Sequence, residues 1–351
     1  FKTDLNNPSN CLEPLINLLK KYPNNYKTLE KLIIYLRKLG KLEDVPEYLL
    51  NAEKSDRRSD SHGGLHYCKG LYNRYTNDIV NSIMEFNLSR KDSDWGAESL
   101  VHMIELYLNP DQEGVWEDKG DEGGEPYTLD EETSDNINVA QALLNELKPI
   151  AKDVRRVQIL ENYTLLSTKL KSNIDRAMQS FIDMLDYDKD YLPAILGMST
   201  GFMIERSQHK ARNLLKRVAK MEISTADGED FEKANLLLAK FYVDKGKNDL
   251  AQDLCKRCLA QNKSCSQAWE ILALAMEKDM DYRNAADCYE KAWKLEFEAS
   301  ATVGFKLAFN YLKCDMFVEA IDICEKVLSQ YPDYPRIRTE ILQKAQTSLR
   351  P

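Results

Sequence analysis

The sequence predicts an all-α chain: a superhelical solenoid of antiparallel helix pairs. Three observations predict it. Three consecutive stretches of about 34 residues repeat one pattern of small and bulky side chains. Apolar residues recur at helical spacing through most of the 351 residues. A chain of this length also exceeds the ~250–300 residues at which a single core stops growing. A linear array satisfies all three, because each hairpin buries its apolar face on its neighbours.

Numbered from Ser266, the clearest repeat places Trp269, Leu272, Ala273 and Met276 on its first helix and Ala285, Tyr289 and Ala292 on its second. Phe297 stands where a proline often ends the unit. The repeat from Glu232 offers Leu238, Ala239, Tyr242, Ala251, Cys255 and Cys258. The repeat from Ala301 offers Gly304, Leu307, Ala308, Tyr311, Ala320, Cys324, Val327 and Pro332. Small residues at two slots let two helices of about twelve residues cross closely, which is the tetratricopeptide-repeat (TPR) signature.

From these anchors the chain divides into an ordered series. Residues 1–25 read as a partial hairpin, the second helix of a truncated repeat, which suggests a piece from the C-terminal end of a longer solenoid. Residues 26–94 read as two degenerate repeats, carrying Leu29, Leu32, Ile33, Leu36, Val45 and Leu49, then Gly70, Ser82 and Phe86. Residues 95–149 form a hairpin interrupted by an acidic insert, 111–135, and ended by Pro149. Residues 158–231 hold two repeats, with a six-residue excess around Thr225 to Gly228. Residues 232–334 hold the three well-matched repeats, and 335–351 a C-terminal capping helix.

The net charge of −9 is concentrated in the insert, where eleven carboxylates meet one lysine for a local balance of −10 and leave the remainder at +1. A nearly neutral body gives no long-range attraction to nucleic acid or to an anionic membrane surface. No apolar run approaches the ~20 residues of a membrane-spanning helix, and the eight cysteines are scattered. The reading is a reduced, soluble, intracellular protein without direct membrane insertion. High charge and low hydrophobicity describe the insert as a disordered loop, with a basic partner surface as the competing reading.

Few constellations suggest chemistry. Cys255 and Cys258, with Cys265 nearby, invite a zinc site, but no second pair or neighbouring histidine completes four ligands. Cys255 also shares a repeat slot with Tyr289 and Cys324, so packing is the preferred reading. His62, His66, His102 and His209 are dispersed and read as structural or solvated. The basic run 210–220, with Arg212, Lys216 and Arg217 alternating with Leu214, Leu215 and Val218, reads as a solvated helix face. No phosphate loop or nucleophile elbow is present. The expectation is a non-enzymatic protein that needs no cofactor and no metal.

In this architecture first helices line the concave face, and positions 2, 5, 9 and 12 of each repeat form one stripe. The candidate partner-binding groove drawn from the last three repeats is Leu236, Lys240, Glu270, Leu274, Phe305, Phe309 and Leu312. It grows more apolar toward the C-terminus, as a groove for an apolar helix or extended segment would. The competing reading is that neighbouring helices or the closing helix cover Phe305 and Phe309. Positions 5 and 9 carry a glutamate and two phenylalanines, which exclude a clamp on a chaperone's C-terminal carboxylate.

Several strings are more specific than the repeat itself. Tyr67-Cys68-Lys69-Gly70-Leu71-Tyr72, Arg90-Lys91-Asp92-Ser93-Asp94-Trp95-Gly96 and Tyr107-Leu108-Asn109-Pro110-Asp111 resemble the C-terminal part of the tetratricopeptide-repeat 21 family. So do Gly304-Phe305-Lys306-Leu307-Ala308-Phe309-Asn310-Tyr311-Leu312-Lys313 and the final Ala345-Gln346-Thr347-Ser348-Leu349-Arg350-Pro351. The resemblance runs from about Glu13 to the end. It implies a scaffold subunit of intraflagellar transport complex A, acting in retrograde ciliary transport and in ciliary entry of membrane proteins. It also implies WD-repeat and other TPR subunits as partners, and a location in the cytoplasm and cilium, at axoneme and basal body. It implies no cofactor. The alternative is a freestanding TPR adaptor that recognises short peptide segments.

Overall fold

The computed structural model describes residues 8–55, 62–109, 131–221 and 228–349, with side chains from Leu12 onward. Every regular element among them is helical. Two compact units divide the chain, residues 1–234 and 235–351. Unit 1 opens with α1 (Pro8–Lys21) and continues through the hairpins α2 (Tyr26–Leu39) with α3 (Val45–Ser55), α4 (Gly63–Tyr75) with α5 (Ile79–Ser89), and α6 (Gly96–Leu108) with α7 (Glu131–Leu147). It goes on through α8 (Val154–Ser167) with α9 (Lys171–Tyr187) and α10 (Leu192–Ile204) with α11 (Gln208–Val218) to the start of α12 (Gly228–Asp244). Unit 2 holds the rest of α12 with α13 (Asn248–Gln261), α14 (Ser266–Lys278) with α15 (Tyr282–Leu295), and α16 (Ala301–Lys313) with α17 (Phe317–Gln330).

The hairpins reverse through a shared device. Asp78, Ser207, Lys247, Asp281 and Met316 each donate a backbone N–H to the carbonyl five residues back, at 2.8–3.0 Å. The residue before each, Asn77, Arg206, Gly246, Met280 or Asp315, has positive φ. This left-handed cap satisfies carbonyls that the end of a helix leaves open. Side chains secure the other ends: Asn25, Asp78, Asp153 and Asp281 each accept an N–H from the first turn of α2, α5, α8 and α15.

Small residues occupy the crossings. Ala239 with Ala251, Ala273 with Ala285, and Ala308 with Ala320 are fully buried, so the two helices of each hairpin meet nearly backbone to backbone. In unit 2, Trp293 of α15 is 2% exposed and lies across Gly304 of α16. A Cβ at Gly304 would stand 2.5 Å from Trp293 Cζ3 and 2.6 Å from Val327 Cγ2. In unit 1, Gly70 of α4 takes the ring of Phe86 from α5 in the same way, 2.8 Å from such a Cβ. The main core of unit 1 runs from Leu19 through Leu32, Ile33, Phe86 and Ile104 to Leu144 and Leu160, and a second cluster gathers around Phe181 and Leu166.

Three boundaries differ from the sequence expectation. Of the insert 111–135, residues 111–130 lie outside the described residues, but 131–135 are the first turns of α7. Glu131 and Glu132 stand where carboxylates complement the helix dipole, so their charge marks a helix start instead of a loop. Helices α8 and α12 begin at Val154 and Gly228, each about one turn before the expected 158 and 232. The closing segment is a wide π-helical turn, Ile337–Leu342, that runs into α18 (Gln343–Leu349). Ile337, Ile341 and Ala345 are fully buried at helical spacing, which closes the last hairpin.

Candidate functional site

In unit 2 the predicted groove residues sit on α12, α14 and α16 with unequal exposure. Leu236 is buried and Lys240 exposed, while Leu274, Phe305, Phe309 and Leu312 are half-buried. Glu270 is held by Lys306 Nζ at 2.6 Å. One turn on, Asn310 Nδ2 donates to Glu277 at 2.9 Å. A polar ladder therefore joins α14 to α16 beside the apolar positions. Phe305 packs against Tyr334 with ring centroids 5.9 Å apart, so the turn that leads from α17 into the closing segment covers part of it. Phe309 lies under Lys313 at 5.4 Å.

Cys255, Cys258 and Cys265 are all buried, and burial raises the Cys255 thiol. Among the described residues no three side chains gather as metal ligands. The four histidines have four different settings. His62 caps α4 by accepting the Gly64 N–H at 3.2 Å, and His66 lies 2.7 Å from Glu85. His209 is exposed on α11. His102 belongs to a cluster that the sequence reading did not find.

That cluster lies on four of the first helices of unit 1, α2, α4, α6 and α8. Each contributes two residues seven apart, hence on one face: Glu30 and Arg37 on α2, Tyr67 and Arg74 on α4, Glu98 and Glu105 on α6, and Arg156 and Tyr163 on α8. Arg74, 8% exposed, binds Glu105 at 2.7 Å and also lies against His102 Nδ1. With Nδ1 accepting from Arg74, the ring proton sits on Nε2. Nε2 then donates to Tyr67 Oη at 3.3 Å, and Tyr67 donates to Glu30 at 3.3 Å. Arg156 binds Glu98 at 2.8 Å and approaches Glu105 at 3.9 Å.

The electrostatics follow from this placement. Burial and the Arg74 charge together press His102 down to about 3, so it is neutral at ordinary pH. Burial alone would raise Glu105, but Arg74, Lys233, His102 and Arg156 overcome it and hold the carboxyl at about 2. Burial raises Glu30, which has only the Tyr67 hydroxyl and distant lysines in its favour. Such a row can hold helices in register or present charge to a partner, and no group in it is placed as a nucleophile beside a base. The rule used for the last repeats, applied upstream at positions 5 and 12, selects Glu30 with Arg37 and Tyr67 with Arg74. That was the available signal.

Residues 139–346 match the domain family described as the tetratricopeptide repeat protein 21 C-terminal ARM domain, and residues 4–108 match the family described as the TT21 fifth ARM repeats domain. The chain belongs to the tetratricopeptide repeat protein 21 family. It is 45% identical over 329 residues to tetratricopeptide repeat protein 21B of Homo sapiens, covering 92% of this chain and 25% of that protein. Against tetratricopeptide repeat protein 21A of Mus musculus the identity is 41%, covering 97% and 26%. Against the homolog of Caenorhabditis elegans it is 30%, covering 95% and 25%. The chain spans about a quarter of the length of these relatives.

Among solved structures, the APC/C hetero-tetramer Cut9–Hcn1 aligns with TM-score 0.53 at 16% identity, covering 96% of this chain and 61% of that one. A tetratricopeptide repeat protein from Parabacteroides merdae aligns with TM-score 0.50 at 14% identity, covering 77% and 92%. These share the fold. The sequence expectation of helical-pair repeats and of this family therefore stands. In this chain the charged row spans both matched stretches, since α2, α4 and α6 fall in 4–108 and α8 in 139–346.

Proposed function

We propose that this chain is part of a non-enzymatic scaffold subunit of intraflagellar transport complex A, in the cytoplasm and cilium. There it holds WD-repeat and other TPR subunits for retrograde transport and for ciliary entry of membrane proteins. The observation that carries the reading is family membership, at 45% identity over 92% of the chain. Two features suit it to this work: stacked first helices offer broad side-chain surfaces, and no helix among the described residues is long and apolar enough to cross a membrane.

Within unit 2, Lys240, Glu270, Leu274, Phe305, Phe309 and Leu312 are the proposed partner contacts, while Leu236 is buried and drops out of the groove. Their support is the half-exposed apolar run beside the Lys306–Glu270 ladder, since such patches commonly mark interaction surfaces.

Size-exclusion of the tagged full-length protein from ciliated cells tests the assignment. Co-migration with a stable megadalton-scale particle supports it, whereas elution alone with substoichiometric peptides points to the freestanding adaptor. For the groove, capture of native partners is compared between wild type and Phe305→Asp/Phe309→Asp, with circular dichroism as the fold control. Unchanged capture by a folded variant removes the groove from the proposal.

A further inference from the structure

Unit 1 carries a contact that a stack of neighbours does not require. Arg37 near the end of α2 reaches Glu229 in the first turn of α12, 192 positions later, at 2.6 Å. Its other nitrogen lies 3.7 Å from Glu232. The guanidinium stacks on the Tyr75 ring at 4.2 Å, and the Tyr75 hydroxyl donates to Glu229 at 3.2 Å. Burial alone would raise the Glu229 carboxyl, but Arg37, Arg74 and Lys233 hold it well below the usual carboxylate range. Asp230 and Lys233 face each other at 4.0 Å on the same turn.

The outer and inner parts of this row differ in exposure. The Glu229 side chain is 45% exposed and that of Arg37 21%, whereas that of Arg74 is 9%. Water and salt reach the Arg37–Glu229 pair, and exposed pairs are weak and screened. The Arg74–Glu105 pair, deeper in the row, is sheltered. The tie across unit 1 is thus more salt-sensitive than the Arg74–Glu105 pair.

We propose that Arg37, Tyr75, Glu229 and Glu232 form an electrostatic clasp that joins the first two hairpins of unit 1 to the start of α12 at its other end and opens reversibly. Shut, it spans the row formed by α2, α4, α6 and α8 with carboxylates from α12.

The test uses the whole chain with nitroxides attached through p-acetylphenylalanine at positions 41 and 220, both exposed and outside the clasp. Electron–electron resonance then reads their separation at about 0.05 M and about 0.5 M salt, on either side of physiological screening. Wild type at low salt should give one narrow population. High salt, or Glu229→Arg, should add a longer one with at least a threefold larger share. The double variant Arg37→Glu/Glu229→Arg should restore the narrow population. If Glu229→Arg loses helicity by circular dichroism, Glu229→Gln carries the same comparison. A wild-type distribution unchanged by salt and by the folded single variant overturns the clasp, as does failure of the double variant to restore it.

Discussion

The first helices of unit 1 and of unit 2 occupy equivalent places in their repeats and carry different chemistry. In unit 1 they meet through arginines and carboxylates, with His102 and Tyr67 joining the chain of hydrogen bonds. In unit 2 they carry half-buried Leu274, Phe305 and Phe309, and their polar contacts include Lys306–Glu270, Asn310–Glu277 and Lys278 with the Val243 carbonyl. Behind the faces, unit 2 is fastened by bulky-on-small packing, with Trp293 on Gly304. The repeat signature thus governs the packing between helices and leaves the exposed stripe free to diverge.

Four measurements bear on that contrast. Trp293→Ala should destabilise unit 2 by about 3–5 kcal/mol, because it empties a buried site that the Gly304 backbone cannot fill. Urea unfolding followed by hydrogen exchange in α14 to α17 reads it, and a loss below about 1 kcal/mol would mean that unit 2 does not depend on this packing. Arg74→Met should cost unit 1 about 3 kcal/mol, the low end for a broken buried pair, since Glu105 keeps some solvent and Arg156 nearby. Trp95, 7% exposed near Tyr67, reports this unfolding by fluorescence.

Acid should separate the units. His102 sits at about 3 in place of 6.5, so the unfolded chain binds more protons between those values and stability falls as pH drops through them. Glu105, at about 2 in place of 4.5, adds the same sign over the lower part of the range. Glu296 in unit 2 is raised by burial, and its sign is opposite, because protonation there accompanies folding. His102 and Glu105 both lie more than a pH unit below their ordinary values, so protection of α4 and α6 from hydrogen exchange should fall more than tenfold relative to α14 and α16 between pH 6.5 and 4. Parallel loss in both units would contradict the assignment. The smallest effect is expected for Lys306→Met, about 1 kcal/mol or less, because both partners of its pair are partly solvated. A larger loss in thermal unfolding would make unit 2 resemble unit 1.

What the sequence disclosed and what it withheld have a common cause. Ala273 with Ala285 and Ala308 with Ala320 recur at fixed offsets because helix crossings demand small residues there, and three copies make the demand visible. Arg37, Arg74 and Glu105 look individually like ordinary surface charges, and the partner of Arg37 lies 192 positions away. Only stacking shows that Arg74 is inside. Glu131 and Glu132 were misread for the opposite reason: composition suggested disorder, while position made the same charges a helix start. In the groove, Phe305 and Phe309 were legible as a stripe. The competing reading, cover from the closing end of the chain, holds in part, and it comes from Tyr334 at the very end of the last repeat instead of from the closing helix.

The tie from α2 to α12 also bears on how unit 1 comes apart. In an ordinary repeat array each unit touches only its neighbours, so stability is nearly additive and an end can fray alone. A contact spanning 192 residues breaks that additivity. Releasing the first hairpin also costs an interaction with the start of α12, and forming that interaction requires closing a long stretch of chain. Unit 1 therefore acquires the late, non-local step and the higher contact order of a globular fold, although every helix in it belongs to a linear stack.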